Sequence, residues 1–253
     1  MRIFRVHFYS GMTNDNDGVA LVTGATGFVG SNLTRRLVDD GWQVHVVVRP
    51  SSVVRFAGGR SNGITSHIFD GSSDGIRSIL DAARPEVVFH LASYFVAEHS
   101  PEDITDLIES NLLFSTRLLE AMSNAGVSSF VNTGTSWQHF ENQSYNPVNL
   151  YASTKQAFED ILRYYVEARH VNAITLALFD TYGPGDDRPK LLRSLAQAIL
   201  SKQGLEMSPG AQLIDLVYID DVVEAYLGAA YRLMGALWLV TSAMQFHPGA
   251  QFR

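Results

Sequence analysis

Short hydrophobic runs alternate with amphipathic stretches along the chain from Val19 onward. The hydrophobic runs have the length of buried strands and cover Val19–Thr23, Gln43–Val48, Ile64–Phe69, Glu86–Leu91 and Ser128–Thr133. The amphipathic stretches have helical spacing and cover Val29–Asp40, Asp74–Ala83, Glu102–Ala125 and Leu150–Arg169. Strands that alternate with helices are typical of a parallel sheet joined by helical crossovers. The pattern therefore predicts an α/β fold with a doubly wound parallel sheet.

The third predicted helix carries signals at both of its ends. Ser100 is expected as its N-cap and Pro101 as its first residue, because these residue types are favoured there. Gly126 follows the last residue of the stretch, and a glycine at this place commonly ends a helix in the left-handed conformation.

The composition excludes several classes of function. The 253 residues include 26 acidic and 19 basic ones, a net charge of −7, so we expect no nucleic-acid partner. The absence of cysteine excludes disulfides and thiolate chemistry and favours a cytoplasmic protein. No apolar run approaches the ~20 residues that span a bilayer, so no membrane partner is expected. The eight histidines show no metal-ligand spacing, and no metal site is expected.

A glycine-rich turn, VTGATGFVGSNL, follows the first predicted strand and opens the first predicted helix. Gly24 permits the tight turn, Gly27 lets the backbone approach a pyrophosphate, and Gly30 lets the helix pack close to the strand. The start of the helix adds free N–H groups and the positive end of its dipole. The alternative is a glycine turn without function. Because a strand precedes the turn and a helix follows it, we interpret the turn as a dinucleotide-binding site.

The ends of the next two strands bear on the choice of dinucleotide. The second strand ends at Arg49, where an acidic residue would bind a ribose 2′-hydroxyl, and Ser51 and Ser52 follow. Arginine at this place favours the 2′-phosphate of NADP(H), although NAD(H) stays possible. The alternative for Arg49 is a solvated side chain. Asp70 follows the third strand and is expected to contact adenine, or else to cap a turn.

The sequence YASTK places Tyr151 and Lys155 four residues apart on one face of a predicted helix. A neighbouring cation stabilises a phenolate, so we expect the ammonium group to lower the pKa of the tyrosine. The preceding strand ends in three hydroxyl residues, Thr133, Thr135 and Ser136. A hydroxyl beside the tyrosine can hold a reacting carbonyl oxygen near the phenol. The pair can also arise by chance, because the spacing alone is a weak signal.

Five segments together resemble the extended short-chain dehydrogenase/reductases, in particular the sugar-nucleotide epimerase/dehydratase group. They are the glycine turn, FHLAS at 89–93, TGTS at 133–136, YASTK at 151–155 and LFDTYGP at 178–184. The resemblance implies a Rossmann-type sheet in which Tyr151 is the catalytic acid, Lys155 binds the nicotinamide ribose, and Thr135 orients the substrate. It also implies cofactor contacts that include Thr26, Phe28, Val29, Leu91, Ala92, Ser93, Asn111, Phe179 and Thr181.

Within that group, the chain looks most like CDP-abequose and CDP-paratose synthases. This resemblance implies NADPH-dependent reduction of the 4-keto group of a nucleotide-linked deoxyhexose, with a CDP-linked substrate favoured. Two alternatives stay open. One is a nucleotide-sugar 4-epimerase or dehydratase with a tightly bound dinucleotide, and the other is a protein that binds NADP without turnover.

The chain departs from the group in its second half. Asp180 stands where an asparagine is usual, and Gln212 stands where an arginine usually grips the substrate diphosphate. Arg188, Lys190 or Arg193 could supply that charge, or could be a solvated helix start.

The resemblance also suggests how the chain is divided. We expect a poorly ordered leader at 1–17, an NADP-binding domain at 18–180, and a substrate lobe at 181–253 in which residues 213–233 help to frame the pocket. Relatives usually continue for several dozen residues beyond the position of Tyr231, so we expect the lobe to be incomplete.

Apolar residues on more than one stripe of the two long helices raise the question of a dimer. In the first of these helices they are Ile104, Leu107, Leu112, Leu118 and Leu119. A homodimer formed through the helix pair is one interpretation of this pattern, and burial of both stripes inside the monomer is the other.

Overall fold

A computed structural model describes residues 18–52, 63–205 and 214–235. The predicted leader at 1–17, Gln212 and the end of the predicted lobe at 236–253 lie outside the described residues.

Six parallel strands form one twisted sheet. They are β1 (Val19–Thr23), β2 (Gln43–Val48), β3 (Ile64–Ile68), β4 (Val87–His90), β5 (Ser129–Thr135) and β6 (Asn172–Leu178). Their order in the sheet is β3-β2-β1-β4-β5-β6. The predicted doubly wound parallel sheet is confirmed, because the chain moves outward from β1 in one direction and from β4 in the other.

Seven α-helices accompany the sheet in the described residues. They are α1 (Phe28–Asp39), α2 (Ser73–Ala83), α3 (Asp103–Ile108), α4 (Phe114–Ala125), α5 (Leu150–Arg169), α6 (Leu191–Ser201) and α7 (Ile219–Leu233). Two short strands, β7 (Asp180–Tyr182) and β8 (Leu216–Tyr218), pair in parallel as a separate small sheet. The predicted bounds of α5 are confirmed.

Each face of the large sheet is covered by its own set of helices. On one face, α1 and α7 pack over β1, β4 and β5, and the fully buried Tyr226 lies among Val22, Phe89 and Val131. On the other face, α2, α4 and α5 pack over residues such as Leu21, Val88 and Phe130. Residues 219–233 belong to the substrate lobe that the sequence predicts. In the structure they form helix α7, which buries seven side chains and covers the large sheet beside α1.

The third predicted helix differs from expectation at its start and in its middle. The helix begins at Asp103, and the Ser100 hydroxyl does not cap it: the N–H and the hydroxyl of Ser100 both donate to the Asp103 carboxylate, each at 2.8 Å. The predicted N-cap is therefore wrong, because the carboxylate is the stronger acceptor of the two side chains. A π-helical turn, Glu109–Leu113, separates α3 from α4. Gly126 ends the run in the left-handed conformation as predicted, with φ 73°.

No helix among residues 18–52, 63–205 and 214–235 is both long enough and apolar enough to cross a membrane.

Candidate active site

Buried polar side chains collect at the carboxyl edge of the sheet, where α/β proteins of this topology bind ligands. Thr23 ends β1, His90 ends β4 and Thr135 ends β5, and all three are at most 9% exposed. Other buried polar residues come from the helices that pack beside this edge; they are Asn111, Thr154 and Lys155.

The glycine turn has the shape that a dinucleotide pyrophosphate requires. Gly24 has φ +72°, and a Cβ atom on it would lie 2.6 Å from the backbone N of Ala92. A Cβ atom on Gly30 would lie 2.1 Å from the carbonyl oxygen of Gly24, so helix α1 packs directly on the turn. Gly27 is the N-cap of α1, and no side chain caps the first turn of this helix. The residues therefore fit a dinucleotide whose phosphates accept these N–H groups.

Several predicted cofactor residues lie along the same edge. Thr26 is exposed, Phe28 and Val29 are half-buried at the start of α1, Leu91 and Ala92 are half-buried, and Ser93 is exposed just after β4. Phe179 directly follows β6 and is 45% exposed. These predicted residues therefore follow the carboxyl ends of β1, β4 and β6.

Arg49 and Asp70 also lie at this edge, directly after β2 and β3. Arg49 is exposed, and its carbonyl oxygen accepts the N–H of Ser52 at 2.9 Å, which folds Ser51 and Ser52 back toward it. Asp70 caps a turn: its Oδ1 accepts the N–H and the hydroxyl of Ser72, both at 2.8 Å. These bonds, the backbone one first, hold the pKa of Asp70 below its ordinary value.

Three cations follow β7, and each already has an anionic or carbonyl partner. Arg188 donates to the Asp186 carboxylate at 2.7 Å and to the carbonyl and hydroxyl oxygens of the buried Thr181, both at 3.0 Å. Lys190 pairs with Asp180 at 2.8 Å, and Arg193 donates to the carbonyl oxygen of Asp186 at 2.8 Å. The guanidinium of Arg188 also lies 4.5 Å from the ring centre of Phe28.

His90 links strands β1 and β4 to helix α4. Its Nδ1 lies 2.8 Å from the Thr23 hydroxyl, and its Nε2 lies 2.8 Å from the Ser115 hydroxyl. With the ring proton assigned to Nε2, His90 donates to the Ser115 hydroxyl and accepts from Thr23, whose oxygen also accepts the N–H of Ala92 at 3.2 Å. Burial, with a smaller effect of the Lys155 charge, lowers the pKa of His90 to about 3. The imidazole is therefore neutral at physiological pH.

Asn111 lies in the π-helical turn and ties three segments together. Its Oδ1 accepts the N–H of Tyr94 at 2.8 Å and the Ser93 hydroxyl at 3.2 Å. Its Nδ2 donates to the carbonyl oxygen of Tyr94 at 3.0 Å and to the Thr154 hydroxyl at 2.9 Å. Both donors and both lone pairs are thus used by the protein. These bonds hold Asn111 against the segment that carries Ser93, and its predicted contact with the cofactor stays a prediction.

Helix α5 brings Tyr151 and Lys155 to the site. The helix begins after Asn149, whose side chain accepts the N–H of Ala152 at 2.9 Å. Tyr151 is half-buried, and burial raises its pKa, although a hydrogen bond with Ser93 acts in the opposite direction. We expected the ammonium group of Lys155 to lower this pKa. The direction is the reverse because desolvation of the phenol is the larger effect.

Lys155 is 3% exposed. Burial lowers its pKa from 10.5 to about 8, and the negative charge of Glu159 partly opposes this change. The ammonium form therefore persists at neutral pH but is lost in mildly alkaline solution.

Of the candidate hydroxyls at the end of β5, Thr135 has the more suitable contacts. Its Oγ1 accepts the N–H of Trp137 at 3.3 Å, which leaves the hydroxyl proton available for another acceptor. Thr133 instead donates to the carbonyl oxygen of His90 at 2.7 Å, and the Tyr226 hydroxyl lies 2.6 Å away. Thr133 is therefore held inside the sheet.

Sequence reasoning missed His90, Gln138 and Glu159. A signal existed for Glu159, since it is four residues after Lys155 and so lies on the same helix face. No spacing rule connects Gln138 to the helix that it contacts, because its partners come from a different segment of the chain.

The glycine turn and helix α5 both fall inside a region shared with known proteins. The NAD dependent epimerase/dehydratase family matches residues 20–233. The CDP-abequose synthase of Yersinia pseudotuberculosis is 27% identical over 208 residues, which are 82% of this chain and 71% of that protein. The UDP-glucose 4-epimerase of Mycolicibacterium smegmatis is 29% identical over 255 residues, covering 90% of this chain and 80% of that protein. The solved UDP-glucose 4-epimerase of Thermus thermophilus, in complex with NAD, has a TM-score of 0.73 at 27% identity and covers 84% of this chain and 74% of that one.

Replacement of Lys155 by methionine should stabilise the protein. The lowering of the pKa of Lys155 from 10.5 to about 8 corresponds to about 3 kcal/mol at ~1.4 kcal/mol per pKa unit. The unfolded state binds more protons between these two values, so the penalty is complete below pH 8 and shrinks as the pH approaches 10.5. Urea unfolding of Lys155→Met should show a gain of up to about 3 kcal/mol at pH 7 and a smaller gain at pH 10.

Lys190→Met is the matched control, because Lys190 forms a partly exposed ion pair with Asp180. Its free energy of unfolding should change by no more than about 1 kcal/mol. A Lys155→Met protein that is no more stable than wild type at pH 7 would contradict the cost assigned to the buried charge.

Proposed function

The chain belongs to the NAD dependent epimerase/dehydratase family, and from this premise we propose that it reduces the 4-keto group of a nucleotide-linked deoxyhexose with NADPH. The observation that carries the proposal is that Tyr151 lies one turn before the buried Lys155 on helix α5 and that its phenol bonds to Ser93. This placement supports Tyr151 as the proton donor and Lys155 as its cationic partner, with Thr135 at the end of β5 as the orienting hydroxyl.

Each side chain has a definite part in the reduction. Tyr151 donates its proton to the C4 oxygen, and the Thr135 hydroxyl donates a hydrogen bond to the same oxygen and holds it there. NADPH supplies the hydride that C4 receives, so the carbonyl becomes an alcohol. Ser93 and the charge of Lys155 stabilise the phenolate that remains on Tyr151, which then regains a proton from water.

Burial raises the pKa of Tyr151, so the phenol keeps its proton at neutral pH and can donate it to a ketone. The similarity to CDP-abequose synthases supports reduction as the first candidate. A 4-epimerase or dehydratase is the second candidate, because UDP-glucose 4-epimerases are among the similar proteins. A protein that binds NADP without turnover is the third.

The substrate and cofactor proposals have separate supports. The similarity to CDP-abequose synthases supports a CDP-linked sugar. The exposed Arg49 at the end of β2 supports NADPH, while the solved relatives in complex with NAD keep NADH as the alternative. Two of the cations proposed for the substrate diphosphate, Arg188 and Lys190, are paired with Asp186 and Asp180. The diphosphate of the substrate must therefore compete with carboxylates for them.

Turnover of a panel of nucleotide-linked 4-ketohexoses tests the proposed reaction. We expect one NADPH oxidised for each ketone reduced, whereas an epimerase would consume none. Tyr151→Phe should lower kcat by ~10²–10⁴-fold with little change in NADPH affinity, since only the proton donor is lost. Tyr164→Phe, an exposed tyrosine on the same helix, should turn over like wild type. A Tyr151→Phe variant that keeps half of the wild-type rate would refute the role of Tyr151.

Cofactor titrations of Arg49→Asp test the preference for NADPH. Loss of a charge-assisted contact with the 2′-phosphate should weaken NADPH binding by roughly tenfold to more than a hundredfold and leave NADH binding nearly unchanged. Arg163→Asp, at an exposed position of α5, serves as the charge control. An unchanged cofactor preference in Arg49→Asp would rule out the assignment.

We also propose that the protein forms a homodimer through the α3–α4 run. Leu107, Leu118 and Leu119 are buried inside the monomer, whereas Ile104 and Ile108 stay 45% and 41% exposed. Sedimentation velocity should give a dimer for wild type and a monomer for Ile104→Glu/Ile108→Glu. Ile199→Glu, an exposed residue of α6, should not alter the assembly. A monomeric wild type would remove this proposal.

A further inference from the structure

Gln138 bridges the end of β5 to the catalytic helix. It is fully buried at the end of a short 3₁₀ turn, Ser136–Gln138. Its Oε1 accepts the backbone N–H of Thr135 at 2.8 Å. Its Nε2 donates to Oε1 of Glu159 at 2.9 Å and to Oε1 of Gln156 at 3.2 Å. One side-chain amide thus connects the residue that carries the orienting hydroxyl to helix α5.

Gly134 on β5 leaves room for the side chains of Gln138 and Glu159 to approach each other. A Cβ atom on Gly134 would lie 3.0 Å from Oε1 of Gln138 and 3.1 Å from Oε1 of Glu159. Any side chain larger than a hydrogen atom at this position would crowd both members of the bridge. The glycine of the TGTS segment is therefore explained by the approach of Gln138 and Glu159.

Glu159 also bears on the charge at the site. It lies one helical turn after Lys155 and two turns after Tyr151, so the three side chains share a face of α5. Four other charged or titratable groups lie around Lys155 and Glu159. They are His90 on β4, which is neutral, and His139, Asp160 and Tyr151. Burial raises the pKa of Glu159, and the hydrogen bond from Gln138 opposes this change. The amide therefore helps to keep a carboxylate ionised near the buried ammonium group.

We propose that Gln138 and Glu159 are positioning residues for the ketoreduction. The bridge fixes β5 against α5 and thereby sets the distance between the Thr135 hydroxyl and the Tyr151 phenol. The inference rests on the proposed function, because the distance matters only if both groups act on one substrate oxygen. Neither bridging side chain contacts the substrate.

Three variants distinguish the effect of losing the hydrogen bonds of the bridge from the effect of losing side-chain packing. In Gln138→Glu, the new carboxylate can accept from Thr135 but cannot donate to Glu159. In Glu159→Gln, the acceptor for Gln138 is kept and only the charge is lost. In Gln138→Glu/Glu159→Gln, the carboxylate at 138 accepts from Thr135 and from the new amide at 159, so the bridge is restored with its donor reversed.

We expect Gln138→Glu to lower kcat by ~10–100-fold at pH 8, with KM for NADPH within about twofold of wild type. Its activity should rise as the pH falls, because a proton shared by the two carboxyls remakes the bridge. The double variant should recover kcat to within about threefold of wild type. Gln143→Glu, at an exposed position shortly after the same 3₁₀ turn, is the matched control and should stay near wild type.

Amide hydrogen exchange at Thr135 tests the bridge without turnover. The N–H of Thr135 should exchange slowly in wild type, faster in Gln138→Glu, and slowly again in the double variant. Unchanged exchange or unchanged kcat in Gln138→Glu, or a double variant no better than the single one, would overturn the proposal. A wild-type protein that reduces no 4-ketohexose would instead refute the proposed reaction, and with it the effect of the bridge on kcat. Amide exchange at Thr135 would still show whether the hydrogen-bonded bridge exists.

Discussion

Lys155 has to hold a positive charge in a place from which water is excluded, and the surrounding residues meet this requirement in different ways. His90, the other basic group nearby, is kept neutral between two hydroxyls, so it adds no competing charge. Glu159 supplies a negative charge one turn along the helix and is itself held by Gln138. The remaining free-energy cost of burying the Lys155 ammonium group is a large fraction of the 5–15 kcal/mol by which a domain is typically stable. The protein is therefore less stable than it would be with an apolar residue at position 155, but it holds a cation at a defined position.

The same requirement explains why the polar residues of the sheet edge form a connected set. A buried polar group without a partner is destabilising, and the side chains of Thr23, His90 and Asn111 are each bonded to other parts of the protein. Asn111 uses all of its hydrogen-bonding positions, and it does so from a π-helical turn. Such turns widen the helix locally and often occur at functional sites. The groups left free to act on a ligand are consequently few.

The elements that periodicity defines could be predicted from the sequence, whereas the contacts that join distant segments could not. Strands β1 and β2 and helix α5 begin and end where hydrophobic spacing, glycines and caps place them. Strand β6 was missed because its run, NAITLAL, is interrupted by a threonine, and only Leu176 in it is buried. The π-helical turn was missed because an apolar pattern cannot show that Asn111 turns inward. The direction of the Tyr151 pKa shift was wrong because burial depends on loops such as the one after β4.

Helix α7 has a consequence for how the chain acquires its fold during synthesis. The helix lies about two hundred residues after β1, yet it covers the sheet face beside α1 and joins it through the Arg36–Glu224 ion pair. Loop closure over such a separation is slow, and a nascent polypeptide cannot complete it before residue 233 has left the ribosome. The part of this sheet face that α7 covers, beside α1, therefore stays exposed through most of translation. An incomplete domain with exposed apolar surface of this kind is prone to aggregation, which is one reason that chaperones exist.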